Sequence, residues 1–454
     1  MHYQEPARQL PVRDFDVVIA GGGTAGVVAA IAAARQGSRV ALVEAKGYPG
    51  GLIVEGGTAL HSFYNLWKAF PGVPRRQVVR GIPQEIIDRL AARGATSGHA
   101  EMLKGYDYDC ICTAIDTEMY KLVAFAMLQE AGVGIFVNTL LVGAIRDGSH
   151  VKGAIVESRS GREAFFAKAF VDCTGYGDLA AHAGAAYSEP NDYSVANSIG
   201  LAGVNVEAYR QFLESHGCLR ELAIGSRDGL DGRIVRLNGN MKGLPAEFIE
   251  QARAIGMALV TTTVHDDYFM FIKLNVKMPT SPTNRDEAAK AELELRRRQE
   301  KAVGLFRKYV PGCHNAFITR TSPSLCIRRG RLIVCDYDIT IEDILQGRHF
   351  DDDVMVYGFH DSAPQMQIKD GGTYGIPYRS LCVHTIGNLL AAGMLITSNH
   401  DAHMSTRNTV CCMGQGQAAG TAAALCAKVG CGIRELPYGH LKNALMCDGA
   451  YLEA

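Results

Sequence analysis

The feature that most constrains this chain is a glycine spacing, Gly21-x-Gly23-x-x-Gly26, set between an apolar run and an alanine-rich stretch. Asp16-Val17-Val18-Ile19-Ala20 suits a strand buried on both faces, and Val27 to Gln36 suits a helix closed by Gly37. Arg39 to Glu44 reads as the next strand, ending in an acid. Each glycine has its own task. Gly21 permits a tight turn, Gly23 lets backbone approach a diphosphate, and Gly26 lets helix and strand pack closely. The helix start offers N–H groups to phosphate oxygens, and Glu44 is placed to accept a ribose hydroxyl. The unit predicts a dinucleotide-binding α/β domain.

Val17 to Ala34 carries no charge and approaches the length of a membrane span. Its central Gly21-Gly22-Gly23 and its change from β-branched to alanine-rich composition favour strand, turn and helix instead. Lys+Arg 46 against Asp+Glu 47 leaves a net charge of -1, which gives no electrostatic reason to expect nucleic acid or an anionic membrane. Met1 to Arg13 is polar and lacks the basic start and apolar run of a signal peptide. The 13 cysteines are odd in number and include no Cys-x-x-Cys, so reduced thiols and a cytoplasmic location are expected.

Further along, Gln84 to Arg93 and Thr117 to Ala131 have helical spacing, and Val133 to Val137 reads as a strand. Leu140 to Ile145 and Val151 to Ser158 alternate as a hairpin around Asp147-Gly148, and Ala169 to Cys173 is another buried strand. The middle mixes amphipathic helices, such as Arg285 to Tyr309, with strand-like pieces such as Tyr268 to Val276. Nucleotide-domain texture returns at Leu389 to Gly393 and in the small-residue helix Gly414 to Lys428. The expected organisation is a discontinuous Rossmann-like domain from 1–55, 130–188 and 385–454, a helical insertion at 56–129, and an inserted α+β substrate or cap domain at 189–384. A second domain laid over the first creates a cleft.

Several segments together choose among dinucleotides. Lys46 leads into Gly50-Gly51, Val142 lies in the hairpin, and Asp172-Cys173-Thr174-Gly175-Tyr176-Gly177-Asp178 ends a strand. With Gln77 to Ile86, Tyr374 to Arg379, Asn388 to Gly393 and Gly414 to Gly420, these make the chain resemble FAD-dependent oxidoreductases of the glutathione-reductase-fold superfamily, relatives of the fumarate reductase flavoproteins. The resemblance covers nearly the whole chain. It implies FAD contacts at Gly21, Gly23, Thr24, Ala25, Glu44, Lys46, Gly51, Val142, Thr174, Gly175 and Asp178, with Gly26, Gly50 and Gly393 beside them. It also implies a C-terminal helix, opening near Cys411, Cys412, Met413 and Gly414, aimed at the pyrimidine edge of the flavin. Cys326-Ile327-Arg328-Arg329-Gly330-Arg331 departs from the family, which more often has an acid there.

Candidate catalytic residues follow from placement. His400, His403 and Arg407 lie between the strand ending at Gly393 and the C-terminal helix, hence near the flavin. Histidine suits proton transfer near neutral pH, and arginine suits a carboxylate or developing oxyanion. Arg379 and His360 are second-rank candidates from the returning segment. His400-x-x-His403 offers two metal ligands without a third, so no metal is expected. His61 raises covalent flavin attachment, but Thr58-Ala59-Leu60-His61-Ser62 gives that little support, and non-covalent FAD is expected.

A single tryptophan, Trp67, argues against a flavin halogenase, and no early cysteine pair supports a disulfide reductase. No second nucleotide turn follows, so electrons are expected to pass through a small-molecule substrate, a carrier protein, oxygen or transient nicotinamide. The expected activity is hydride transfer between flavin N5 and a C–C, C–OH or C–N bond. The alternative is an electron-transfer or assembly subunit without catalysis of its own. A homo-oligomer is compatible with either.

Overall fold

The computed structural model describes residues 2–362, 365–396 and 398–453. Its central sheet starts at β1 (Val17–Ala20), whose four side chains are wholly buried. A strand so apolar on both faces can exist only inside a sheet covered on each side. Helix α1 (Thr24–Arg35) follows the glycine turn, then β2 (Val40–Val43), β3 (Gly134–Phe136) and β4 (Ala169–Asp172). The chain returns much later with β5 (Leu389–Ala391) and α2 (Thr409–Val429). The order is β5-β4-β1-β2-β3, and every neighbouring pair is parallel. This is an α/β fold of Rossmann-like form with an additional domain, as the glycine unit predicts.

Helix α2 lies against α1 through small residues. A Cβ on Gly416 would come 2.2 Å from the Ala25 carbonyl oxygen, and one on Gly420 would come 2.1 Å from that of Ala29. The helix begins five residues before the expected Gly414, at Thr409, and Asn408 ahead of it is extended. The hairpin strands, Leu140–Asp147 and His150–Ser158, belong to a four-stranded sheet. Gly161–Phe166 and Val12–Asp14 complete it, the latter running parallel to its neighbour.

The middle of the chain builds a separate apolar core, from Val195 to Ile327. Val195–Ala202 pairs antiparallel with Tyr268–Val276 and Phe317–Thr321. Leu219–Arg227 sits in a second sheet, between Leu230–Gly239 and Ala100–Lys104. The 56–129 segment thus contributes strands, Ala100–Lys104 and Ile111–Cys112, besides the helices Ile82–Ala91 and Thr117–Glu130. Helix Arg285–Tyr309 covers the second core, capped by the Asn284 side chain accepting the Glu287 N–H. No helix among the described residues is long and apolar enough to cross a membrane.

Candidate active site

The glycine turn divides its labour in space. Gly21 has φ +92°, and a Cβ there would lie 2.5 Å from the Cys173 oxygen. A Cβ on Gly26 would lie 1.8 Å from the Gly21 oxygen, so this residue is the contact between helix and strand. A Cβ on Gly23 would meet nothing nearer than 3.9 Å. Its open face looks into a groove that Thr24, Ala25, Lys46, Gly51, Thr174, Gly175, Gly393 and Cys412 also border. No side chain caps the start of α1 or of α2, so both helices bring uncapped N–H groups to this region.

Other expected cofactor residues shape the groove from behind. Glu44 accepts from the Gly22 N–H (2.7 Å) and the Lys46 N–H (2.8 Å), while burial raises its pKa. The Lys46 ammonium pairs with Glu55 and donates to Ser324 Oγ at 2.9 Å. Gly50 donates its N–H to the Gly22 oxygen. The Asp178 N–H donates to Thr174 Oγ1, and its carboxylate pairs with Arg331. Behind them Asp172, fully buried, has its pKa pushed up to about 6 by desolvation against three hydrogen bonds. Cys411 and Met413 are buried in the core, Gly414 abuts Met355, and Val142, in its hairpin strand, is not among the residues that border this groove.

A much larger cavity of about 700 Å³ adjoins the groove. Leu52, Ile327, Met394, Arg407 and Thr409 border both spaces. The floor is formed partly by His61 and Tyr108, whose rings meet edge to face at 5.0 Å. His61 Nδ1 lies 2.8 Å from Asp109 Oδ2, and Ser62 Oγ donates to Asp109 Oδ1 at 2.9 Å. The His61 ring also stacks on Phe359. Arg236 meets Glu221 at 2.7 Å, Arg407 is paired with Asp361, and Lys273 and Arg328 project into the same space.

Of the five expected catalytic residues, Arg407 alone borders these cavities. His400 lies at the start of the short helix His400–Thr406, half exposed and beside Asp401. His403 is wholly buried, with Nε2 donating to the Met394 oxygen, and burial holds its pKa well below the ordinary value. His360 has both ring nitrogens occupied: Nε2 donates to the Asp401 oxygen and Nδ1 accepts the Ser362 N–H. Arg379 is paired with Asp352 and lies over Tyr337 and Phe350.

The sequence profile of the family described as FAD dependent oxidoreductase matches residues 16–445. The chain belongs to that family. It is an FAD-dependent oxidoreductase, and FAD is its cofactor. No curated protein matches the sequence with significance. The fold is similar to a geranylgeranyl bacteriochlorophyll reductase-like protein from Thermoplasma acidophilum, at 12% identity and TM-score 0.48, over 96% of this chain and 83% of that one. It is similar to the flavin-dependent brominase Bmp2, at 12% identity and TM-score 0.49, with the same coverages. The OxyS anhydrotetracycline hydroxylase from Streptomyces rimosus is similar at 11% identity and TM-score 0.46, over 96% of this chain and 66% of that one.

In this oxidoreductase, His61, Lys273, Arg236 and Arg328 line the large cavity without having been singled out for catalysis by sequence reasoning. One signal was available. Tyr268-Phe269-Met270-Phe271-Ile272-Lys273-Leu274 places a single charge inside an otherwise apolar strand. The pairing of His61 with Asp109 has no local signature, since the two lie in separate segments.

Proposed function

We propose that this oxidoreductase moves a hydride to or from a C–C, C–OH or C–N bond of a small organic substrate held in the large cavity. The observation that supports this reading is the continuity of that cavity with the cofactor groove, through Leu52, Ile327, Met394, Arg407 and Thr409. FAD, when bound, supplies the hydride acceptor or donor.

The groove fits such a group. Open space stands in front of Gly23, while Gly21 and Gly26 are closed by packing. Under this reading Gly23, Thr24, Ala25, Lys46, Gly51, Thr174, Gly175, Gly393 and Cys412 hold the cofactor, assisted by the two uncapped helix starts. His61 handles the substrate proton. Asp109 accepts its Nδ1–H and so fixes the tautomer, leaving Nε2 without a partner among the described residues. Asp109 is a positioning residue, supported in turn by Ser62.

The test is anaerobic reduction of the FAD-loaded protein by a panel of alcohols, amines and saturated acids, with the reduced protein offered ketones, imines and enoates. At least one member should bleach or restore the flavin absorption. If none does while a carrier protein exchanges electrons with it, the protein is an electron-transfer subunit and the reading is lost.

A further inference from the structure

Two cations of the large cavity have no ion-pair partner among the described residues. Lys273 extends from the strand Tyr268–Val276, and its ammonium has no hydrogen-bond or ion-pair partner among the described residues. Arg328 donates to the Ser194 carbonyl oxygen at 3.0 Å and has no carboxylate within ion-pair distance among the described residues. Arg407 adds a third positive charge, already paired with Asp361. Burial brings the Lys273 pKa down to about 7, and the positive charges of Arg328 and Arg407 push the same way against the carboxylate of Asp361. Arg328 is likewise pushed down by burial and by Arg407. Further along the wall, Arg236 is 5% exposed and its Nη1 has no hydrogen-bond partner, although Glu221 neutralises its charge.

Like charges converging in a partly dry cavity repel one another, and desolvation adds to the cost. Among the described residues no carboxylate pairs with Lys273 or Arg328; Asp361 acts on both from a distance but is already paired with Arg407, so positive charge is in excess here and a ligand anion would balance it. We propose that the cavity binds its organic substrate through an oxyanion group, carboxylate or phosphate, seated between Lys273 and Arg328 with Arg407 alongside. Guanidinium groups match such oxyanions in shape and donor geometry, and the ammonium adds a compact charge. The site deepens the reading of this cavity as the substrate site and rests on it. The apolar members of the wall, among them Val260, Phe271 and Ile327, leave the remainder of the ligand a carbon framework to pack against.

The test is calorimetric titration of the FAD-loaded protein with benzoate, phenyl phosphate and neutral benzamide, with the visible flavin spectrum followed in parallel. At least one anion should bind about tenfold or more tightly than benzamide and perturb the flavin band. Which of the two does so distinguishes carboxylate from phosphate. Lys273→Met should lose about tenfold in anion affinity and Lys273→Arg should retain most of it, with benzamide binding unaltered in both. Removing an unpartnered charge should leave Lys273→Met folded, which its melting curve and FAD content check; Arg328→Met provides a second, independent variant. Equal binding of all three probes by the native protein, or native anion affinity in both methionine variants, would overturn the proposal. Anion binding that persists when no panel member reduces the flavin leaves this site standing and removes only the hydride-transfer reading.

Discussion

Gly416 of α2 faces Ala25 of α1 so closely that a Cβ on the glycine would stand 2.2 Å from the alanine carbonyl oxygen. The contact joins the first helix of the FAD-binding fold to the last long one, and it places both uncapped helix starts beside the same groove. Replacing a helical glycine with alanine ordinarily stabilises by about 1 kcal/mol. Here the methyl group has backbone in its way. Gly416→Ala is therefore expected to destabilise by roughly 1–3 kcal/mol through overpacking. A melting curve and the FAD-to-protein ratio check it, and a raised melting temperature would show that the helices part easily.

This packing also shows what sequence reasoning can reach. The β1-turn-α1 unit was legible because a doubly buried parallel strand must be apolar throughout and the turn requires glycine at set positions. Helix Arg285–Tyr309 was legible from periodicity, having one solvated and one packed face, and strand Tyr268–Val276 from its apolar run, buried on both faces from Phe269 to Ile272. The cavity was not. Lys273, Arg328 and Arg407 converge from a strand, a loop and the end of a short helix, which no local pattern encodes. His360 and Arg379 carried suitable chemistry, but their hydrogen bonds are committed to neighbours that sequence alone could not assign.

The His61–Asp109 pair gives a kinetic prediction. Once a substrate is found, His61→Asn should slow flavin reduction by about a hundredfold or more, in keeping with the loss of a general acid or base. FAD content should remain native. Asp109→Asn should act through the histidine: the rate falls less, and the pH profile of kcat/KM shifts because the ring loses its carboxylate partner. Stopped-flow reduction across pH reads both. An unshifted profile in Asp109→Asn would leave that residue a merely structural role.

Two further histidines contribute to the pH dependence of stability from opposite sides. His265 lies 2.6 Å from both Asp116 and Asp228, and the Asp116 hydrogen bond raises its pKa to about 9 against the cost of desolvation. The folded state then holds a proton that the unfolded chain releases near pH 6.5. Its contribution is full below about pH 6.5 and is lost as pH rises to about 9. His99, between Gln84 and Thr113, has its pKa lowered to about 4 by burial, so its contribution is full above about pH 6.5 and is lost as pH falls to about 4. Lys273 and Asp172, whose pKa values burial moves to about 7 and about 6, act with the opposite sign in the same ranges, so the readout is the difference between native protein and variant. In urea midpoints the stabilisation removed by His265→Gln should be full at about pH 6.5 and shrink as pH rises to about 9.

The glycine turn yields the sharpest contrast between folding and cofactor binding. Gly23 has φ −75° and ψ −160°, a conformation that any residue can adopt, and nothing lies within 3.9 Å of the position its Cβ would take. Gly23→Ala should therefore fold as the native chain does, yet its methyl group projects into the groove where backbone must approach the diphosphate. The expected product is a folded protein that has lost most of its FAD affinity. Gly26→Ala is the opposite case: its Cβ would collide with the Gly21 oxygen at 1.8 Å, so helix and strand must separate and the fold itself should suffer. Circular dichroism and thermal melting report the fold, while reconstitution with FAD reports the groove. If Gly23→Ala binds FAD with native affinity, the diphosphate does not lie against this turn and the assignment of the groove fails.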